Sequence, residues 1–332
     1  MTSGDHEAMY YEKLDAGQVR CLLCPHLCLI QAGRAGICRQ RVNEDGTLKS
    51  RIYGRVTSAS MDPIEKKPLY HFHPGKQILS LGTNGCNFGC LHCQNWSISQ
   101  EDGRTQILSP QQAVDMAAES KSFGIAYTYN EPLIWYEYVL DTSKLAHERG
   151  LKNVLVTNGF IQPEPLAELL PFIDALNIDI KSIRDEFYKE ICRGHVGPVL
   201  ETAKTAKGAA HVEVTNLIIP TYNDSDRELT DLADWVHGNL GEDTPTHLSA
   251  YVPRFELSAP PTPPETLERA YAIFAKRLQH VYLGNVTMGT GSDTLCPNCG
   301  ATLIERHGYS TSVTNLDANA CKSCGEEQNI VV

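Results

Sequence analysis

The stretch QILSLGTNGCNFGCLHCQNW, residues 77–96, joins an apolar run to a loop with three cysteines in eight positions. The apolar run predicts a short buried strand that ends at the loop. Iron–sulfur clusters normally take four thiolates, so Cys86, Cys90 and Cys93 alone would leave one iron free to bind a small molecule. The alternative is zinc with His92 or a distant residue as fourth ligand, although joint ligation by the adjacent His92 and Cys93 is awkward.

Strand-like and helix-like segments alternate between about residue 76 and residue 288. The predicted strands are 77–82, 125–129, 153–159, 175–182, 211–220, 247–252 and 280–286. The predicted helices are 110–123, 132–148, 163–170, 184–191, 198–207, 225–240 and 265–278. Ser109 is the expected N-cap of the first of these helices, Pro110 its first residue and Gly124 its stop. This alternation predicts an α/β fold with a parallel sheet and right-handed crossovers.

Polar residues on the predicted strands indicate how the sheet is shaped. In the segment NIDIKS, Asn177, Asp179 and Lys181 share one face, whereas ordinary parallel strands are apolar on both faces. Another strand ends in Thr157 and Asn158, at the end where such folds usually place their active sites. The pattern favours a barrel or partial barrel with a ligand in its mouth. An open doubly wound sheet with polar edges is the alternative.

Composition narrows the class of protein. The chain has 332 residues, of which 42% are hydrophobic, so about two domains with a sizeable core are expected. The net charge of −11 argues against a nucleic-acid partner, which needs a basic footprint. No secretory signal and no membrane-spanning apolar run is evident, so we expect a cytoplasmic protein with no membrane partner. In that compartment, clustered cysteines favour metal or redox chemistry over disulfides.

Eight further cysteines form two groups outside the loop. The C-terminal cysteine group resembles the paired knuckles of a zinc ribbon, with a rubredoxin-like iron as the alternative; it is Cys296, Cys299, Cys321 and Cys324. The N-terminal cysteine group suits either structural zinc, which is favoured, or an auxiliary iron–sulfur cluster; it is Cys21, Cys24, Cys28 and Cys38. Cys192 is interpreted as a lone buried thiol. The expected organisation is an N-terminal four-cysteine metal-binding segment (1–62), a central barrel (63–288) and a C-terminal four-cysteine, zinc-ribbon-like module (289–332).

The segment PIEKKPLYHFHPG, residues 63–75, precedes the first predicted strand and is here called the amino-end segment. It is expected to cross a barrel opening and contribute to substrate binding, with a solvated linker as the alternative. Its candidate substrate residues are Glu65, Lys66, Lys67, His71 and His73. No Ser-His-Asp triad, phosphate loop or HExxH motif supports a hydrolase or a kinase.

The C-x3-C-x2-C loop after a first strand resembles the radical SAM superfamily. The resemblance implies a partial (β/α)6-type TIM barrel and a [4Fe–4S] cluster whose open iron binds S-adenosylmethionine. In that superfamily the reduced cluster cleaves S-adenosylmethionine to methionine and a 5′-deoxyadenosyl radical. TYNEP (128–132) corresponds to the family's GGEP-like loop, with Tyr129 and Asn130 in place of its glycines. The cofactor-binding residues implied by the resemblance are Asn95, Tyr129, Asn130, Glu131, Thr157, Asn158, Asp179 and Lys181.

The resemblance narrows to one subfamily through the amino-end segment and the stretches CQNWSISQ (93–100), NLIIPTYND (216–224) and VYLGN (281–285). These are similar to the radical SAM enzyme of the AmmeMemoRadiSam system, which is pyruvate formate-lyase activating enzyme-like. It implies association with Memo-like and AMMECR-like proteins, and an electron donor such as flavodoxin or ferredoxin. The substrate is either a metabolite or a protein activated by glycyl-radical formation. The alternative from another class is a non-catalytic multi-zinc scaffold.

Overall fold

The computed structural model describes residues 6–286 and 291–332. Its central feature is an eight-stranded sheet in which the strands follow one another in chain order. The strands are β1 (Ser58–Pro63), β2 (Gln77–Gly82), β3 (Gly124–Tyr127), β4 (Lys152–Thr157), β5 (Ala175–Asp179), β6 (His211–Ile218), β7 (Thr246–Ala250) and β8 (Val281–Gly284). Strands β2 to β8 are parallel, and β1 pairs antiparallel with β2. The predicted α/β class and parallel sheet are confirmed, and the order lacks the reversal of a doubly wound sheet.

Helices connect the parallel strands, and the predicted helix 184–191 is a single helical turn followed by a π turn. The helices are α1 (Trp96–Ser99), α2 (Pro110–Glu119), α3 (Tyr136–Glu148), α4 (Pro163–Leu169), α5 (Asp185–Phe187), α6 (Val196–Lys207), α7 (Asp226–Leu240) and α8 (Pro264–Phe274). A 3-10 turn (Pro132–Trp135) precedes α3, and the π turn (Tyr188–Cys192) follows α5. Within the described ranges, no helix has the length and apolar character needed to span a membrane.

The ends of α2 show what local sequence can and cannot predict. Ser109 is the N-cap as predicted, because its hydroxyl accepts the Gln112 N–H and the Gln112 side chain accepts the Ser109 N–H. The prediction that Gly124 stops the helix is wrong, since α2 ends at Glu119 and Gly124 begins β3. A Cβ at Gly124 would lie 2.2 Å from the Lys152 carbonyl oxygen. The glycine is therefore required by the close approach of β3 to β4.

The two faces of the sheet pack differently. A large apolar core fills the space between the helices and one face, and it includes Leu79 and Leu81 of β2. The opposite, inner face carries a smaller apolar cluster at the amino ends of the strands, with Ile78 against Phe72 of the amino-end segment. Farther along the inner face, the Thr215 hydroxyl donates to the Asn177 side-chain oxygen at 2.9 Å. The predicted polar inner face is present, and its curvature into a partial barrel stays a prediction.

The N-terminal segment forms two small three-stranded antiparallel sheets and a ribbon against Gln106–Ile107. Its strands are His6–Glu7, Tyr11–Lys13, Val19–Cys21, Leu29–Ile30, Arg41–Glu44, Thr47–Ser50 and Arg55–Val56. Its apolar side chains belong to the large core, and a fully buried ion pair of 3.0 Å joins Arg41 to Glu137 of α3. Because β1 begins at Ser58, the central sheet starts inside the segment predicted as 1–62.

The C-terminal module has an apolar cluster of its own around Leu303 and Ile304. Its strands are Thr294–Leu295, Thr302–His307, Ser310–Val313, Leu316–Asp317 and Ala320–Cys321. The chain end pairs with the amino-end segment, because Val331 N–H donates to the His71 carbonyl at 2.8 Å. The module therefore covers the amino end of the sheet. The predicted boundary between residues 288 and 289 lies outside the described residues.

Candidate functional site

The cysteine loop, residues 83–95, follows the carboxyl end of β2. Cys86 Sγ accepts the Phe88 N–H at 3.3 Å, and Cys93 Sγ lies 3.0 Å from the Ser99 hydroxyl. Burial, followed by the charge of Glu131, raises the pKa of the Cys86 thiol. No three potential metal ligands of this loop have ligand atoms within 4.8 Å of one another in the described chain. Thiolates on one zinc ion lie about 3.8 Å apart, since Zn–S bonds are about 2.3 Å long. The loop therefore does not show the close ligand spacing of a single-ion site in the described chain.

Cys192 contacts the cysteine loop. The sequence analysis, which interpreted Cys192 as a lone buried thiol, did not predict this contact. A hydrogen bond from Cys192 holds the pKa of the Cys90 thiol below its ordinary value. The backbones also meet, because Gly89 N–H donates to the Cys192 carbonyl at 2.9 Å. Gly194 permits the contact, since a Cβ there would lie 2.3 Å from the Phe88 ring. The only sequence signal was a cysteine and a glycine two residues apart.

The turn after β3 clamps the cysteine loop from one side. Asn95 Nδ2 donates to the Tyr129 carbonyl at 2.6 Å, and Asn130 Nδ2 donates to the Gly85 carbonyl at 2.8 Å. Tyr129 has φ of 72°, the left-handed region that costs a non-glycine residue about 1–2 kcal/mol. Gly82 of β2 makes room for its ring, because a Cβ there would lie 2.9 Å from Tyr129 Cδ2. The predicted residues Asn95, Tyr129 and Asn130 are therefore brought together.

Glu131 joins this turn to the end of β4. Its buried carboxylate accepts the Thr157 hydroxyl at 2.6 Å, the Asn158 N–H at 2.8 Å and the Leu133 N–H at 2.9 Å. Burial raises the pKa of Glu131 to about 7, against the opposing effect of the three donors. Asn158 Nδ2 in turn donates to the Asn87 side-chain oxygen at 2.8 Å and lies 3.7 Å from Cys86 Sγ. Glu131, Thr157 and Asn158, three of the predicted cofactor-binding residues, thus meet beside the first cysteine.

Asp179 and Lys181 lie at the end of β5, beside the other cysteines. Lys181 Nζ donates to Asp179 Oδ2 at 2.9 Å. Burial opposes the charged lysine, but Asp179 and then Cys90 outweigh burial and hold the pKa of Lys181 above its ordinary value. Burial, with Lys181 second, lowers the pKa of His92 to about 3, so His92 is neutral. Its Nδ1, beside the cysteine loop, is buried with no hydrogen-bond partner in the described chain.

A further cluster on the inner face was not predicted. The Tyr129 hydroxyl donates to Asp62 Oδ2 at 2.5 Å, and Lys67 Nζ lies 2.7 Å from the same oxygen. Lys67 also lies over the Tyr129 ring, 4.5 Å from its centroid. Burial opposes ionisation of Asp62, but the ammonium groups of Lys66 and Lys67 and the Tyr129 hydroxyl hold its pKa below the ordinary value. Lys67 is the residue of the amino-end segment that reaches toward the predicted cofactor residues.

The rest of the amino-end segment lies at the opposite end of the sheet from the cysteine loop, because β1 and β2 are antiparallel. His71 is buried, its N–H donates to Glu213 Oε1 at 2.7 Å, and its Nε2 lies 2.6 Å from the Tyr282 hydroxyl. Glu65 is buried and accepts the Gly75 N–H at 2.7 Å. This geometry favours packing roles for Glu65 and His71, and the His73 N–H donates to the Val331 carbonyl at 2.6 Å. Substrate contact by the segment stays a prediction, and Lys67, which lies nearest the predicted cofactor residues, is buried and paired with Asp62.

The two outer cysteine groups differ in geometry. In the C-terminal group all four sulfurs lie within 4.8 Å of one another, with separations of 3.6 Å for Cys296–Cys324 and 3.7 Å for Cys299–Cys321. These separations match a tetrahedron of thiolates around one ion, so this group could hold a metal. The N-terminal group lines a single cavity, but no three of its sulfurs are that close in the described chain.

An open cleft of about 780 Å³ lies away from all the cysteines. Phe72, Lys152, His211 and Val331 line it at the amino end of the sheet. It contains none of the predicted catalytic or cofactor residues. The chemistry of the cysteine loop therefore marks the candidate site better than the size of this cleft does.

Comparisons with known proteins match the part of the chain that carries the cysteine loop. A sequence profile described as the Radical SAM superfamily matches residues 80–236. An uncharacterised protein of Methanocaldococcus jannaschii is 48% identical over 334 residues, which cover 98% of this chain and 99% of that protein. The pyruvate formate-lyase-activating enzyme of Clostridium pasteurianum is 24% identical over 156 residues, 45% of this chain and 65% of that enzyme. A solved radical SAM methyltransferase from Sphaerobacter thermophilus is similar in fold, with a TM-score of 0.50, 18% identity and coverage of 64% of this chain and 67% of that one.

Proposed function

Because the chain belongs to the radical SAM superfamily, we propose that Cys86, Cys90 and Cys93 hold a [4Fe–4S] cluster that binds S-adenosylmethionine. When bound and reduced, such a cluster supplies the electron that splits S-adenosylmethionine into methionine and a 5′-deoxyadenosyl radical. The radical then takes hydrogen from a substrate. The observation that carries this proposal is the convergence of the cysteine loop with the ends of β3, β4 and β5.

The residues around the loop have distinct parts in this proposal. Asn95 and Asn130 hold the loop and the turn after β3 in one arrangement. The Glu131 carboxylate orients Thr157 and Asn158, so Glu131 is a positioning residue. Lys181 stays charged beside Asp179 and offers a cation to the anionic groups of the site. Such fixed groups favour a charged cofactor because they need no reorganisation when it binds.

The proposal includes a sheet curled into a partial (β/α)6-type barrel. Support comes from the chain-order strand sequence and from the polar inner face of β5 and β6. The two edge strands, β1 and β8, do not pair with each other in residues 6–286, which suits a barrel that remains open. The inner face is plugged at its amino end by Phe72 and Leu69. A substrate would then enter from the carboxyl end, beside the cysteine loop.

The remaining parts of the proposal concern partners and the outer metal. We assign one structural zinc ion to the C-terminal cysteine group, because its sulfur separations match those of thiolates on a single ion. The chain would act as an activase-like oxidoreductase of the AmmeMemoRadiSam type in the cytoplasm, with a flavodoxin or ferredoxin as electron donor and Memo-like and AMMECR-like proteins as associates. Its substrate is either a metabolite or a protein that receives a glycyl radical. No observation favours the multi-zinc scaffold.

The test is anaerobic turnover of the reconstituted protein with dithionite and S-adenosylmethionine, with 5′-deoxyadenosine measured by mass spectrometry. The wild-type chain should form 5′-deoxyadenosine, and Cys86→Ala should not. The circular dichroism spectrum of the variant should match that of the wild type, which separates loss of the cluster from misfolding. Equal product from both proteins, or a wild-type chain that binds zinc and no iron, would show the proposal to be wrong.

A further inference from the structure

The N-terminal cysteine group surrounds a shared cavity beside the cysteine loop. Its strands bring the thiols together, because Cys21 N–H donates to the Cys28 carbonyl at 3.0 Å and Leu27 N–H to the Cys24 carbonyl at 3.1 Å. All four cysteines line the cavity, and so does Asn87 of the cysteine loop. The site is therefore built by the tertiary fold and borders the residue next to Cys86.

A buried cation faces this cavity. Arg41 is 1% exposed and lines the cavity together with the thiols. One end of its guanidinium contacts Glu137 and the Met9 carbonyl, but Nε and Nη1 have no hydrogen-bond partner in the described chain. A buried charged donor without a hydrogen-bond partner destabilises the fold. An anion in the cavity would remove this cost, and thiolates around a metal centre are such an anion.

The spacing of the sulfurs separates the two kinds of metal centre. In the C-terminal group the four sulfurs lie within 4.8 Å of one another, as one ion requires. Neither the N-terminal group nor the cysteine loop has three sulfurs that close in the described chain. A four-iron cluster holds its thiolates farther apart, because a cube of iron and sulfide stands between them. The N-terminal group, like the cysteine loop, therefore lacks the close sulfur spacing of the C-terminal group in the described chain.

From these observations we infer that Cys21, Cys24, Cys28 and Cys38 hold a second iron–sulfur cluster of the [4Fe–4S] type. The cluster is a metal centre additional to the proposed S-adenosylmethionine-binding one, and it does not depend on that proposal. It lies next to the cysteine loop, since His26 Nε2 is 2.7 Å from the Asn87 carbonyl oxygen. Four thiolate ligands from one segment complete its coordination, so this cluster has no open iron.

The test uses the full chain with Cys86, Cys90 and Cys93 all changed to alanine, reconstituted anaerobically with iron and sulfide. The triple variant should retain about four irons and about four acid-labile sulfides per chain. The Mössbauer spectrum of this triple variant, in which the four N-terminal cysteines are intact, should be that of a four-iron cluster. Adding Cys24→Ala and Cys28→Ala should remove this iron and sulfide. Adding Cys192→Ser instead is the matched control and should leave both unchanged.

Other outcomes have separate meanings. Zinc without sulfide in the triple variant would overturn the inference. A rubredoxin-like iron at the C-terminal group would bring iron but no sulfide, so iron alone in the triple variant would also overturn it. If the cysteine loop held no cluster, the triple variant would contain as much iron and sulfide as the wild type. That result would contradict the proposed function while leaving the second cluster supported.

Discussion

The Glu213→Ala variant tests whether one buried carboxylate ties the amino-end segment to the sheet. Glu213 of β6 is fully buried and accepts four hydrogen bonds. Two come from the backbone N–H groups of Tyr70 and His71, at 2.9 and 2.7 Å. Two come from the imidazole Nε2 atoms of His211 and His247, at 3.0 and 2.6 Å. Alanine would leave all four donors without an acceptor.

The structure sets the expected size of this effect. Each orphaned buried donor costs about 1–3 kcal/mol, and partial relaxation reduces the sum, so we expect a loss of about 5 kcal/mol. At about 2 °C per kcal/mol, the melting temperature should fall by about 10 °C. Glu213→Gln keeps one acceptor oxygen, which serves two of the four donors, and should lose about half as much. Glu268→Ala, an exposed position on α8, should change stability by no more than about 0.5 kcal/mol.

The assay is thermal unfolding of the metal-loaded chain under anaerobic conditions, with the buried Trp135 as fluorescent reporter. Burial opposes ionisation, but His211 and His247 hold the pKa of Glu213 well below its ordinary value of 4.5. The stabilisation by this carboxylate is therefore present above pH 4.5 and is lost as the pH falls further. Glu213→Gln should show a weaker loss of stability in acid than the wild type. A Glu213→Ala melting temperature within about 2 °C of the wild type would refute this reasoning.

Three further variants test the site and the C-terminal module. In Glu131→Gln, an amide nitrogen faces a backbone N–H that donated to the carboxylate. Formation of 5′-deoxyadenosine should therefore fall about tenfold while the iron content stays unchanged. Undiminished product would exclude a positioning role for Glu131. Tyr129→Phe removes the hydroxyl that bonds Asp62 and should lower the melting temperature by about 4 °C in calorimetry, whereas an unchanged value would mean that the bond adds no stability. Cys299→Ser should release one zinc ion and make residues 294–321 sensitive to trypsin, as judged by mass spectrometry; retained zinc would contradict the tetrahedral site.

Local patterns were sufficient to predict most of the elements. Residues 77–82, with an apolar run before the cysteines, form β2, and Ser109 with Pro110 begins α2. Alternation of strand and helix then implied a parallel sheet, whose carboxyl ends meet at one edge. That geometry explains why Asn158 and Lys181, which come from different strands, both lie beside the cysteine loop; their contact with a cofactor stays a prediction.

Predictions failed where contacts between distant residues decide the outcome. The position of the amino-end segment depends on the antiparallel pairing of β1 with β2, and β1 was not predicted. Gly124 reads as a helix stop, but its role comes from Lys152 on the neighbouring strand. Cys192 meets Cys90 because a π turn packs against the cysteine loop. None of these contacts leaves a local periodicity in the sequence.

The sequence by itself determined which metal-binding side chains this protein offers, because the number and spacing of cysteines limit which metal centres a chain can hold. Three cysteines after a first strand already indicated a centre with an open coordination position. Only the tertiary structure decided how far apart the sulfurs lie and which residues surround them. Each outer group has four cysteines, but only in the C-terminal group do the four sulfurs lie within 4.8 Å of one another; in the N-terminal group they are more widely spread. The local sequence determines which side chains can be ligands, whereas the packing of distant segments determines how far apart those ligands lie.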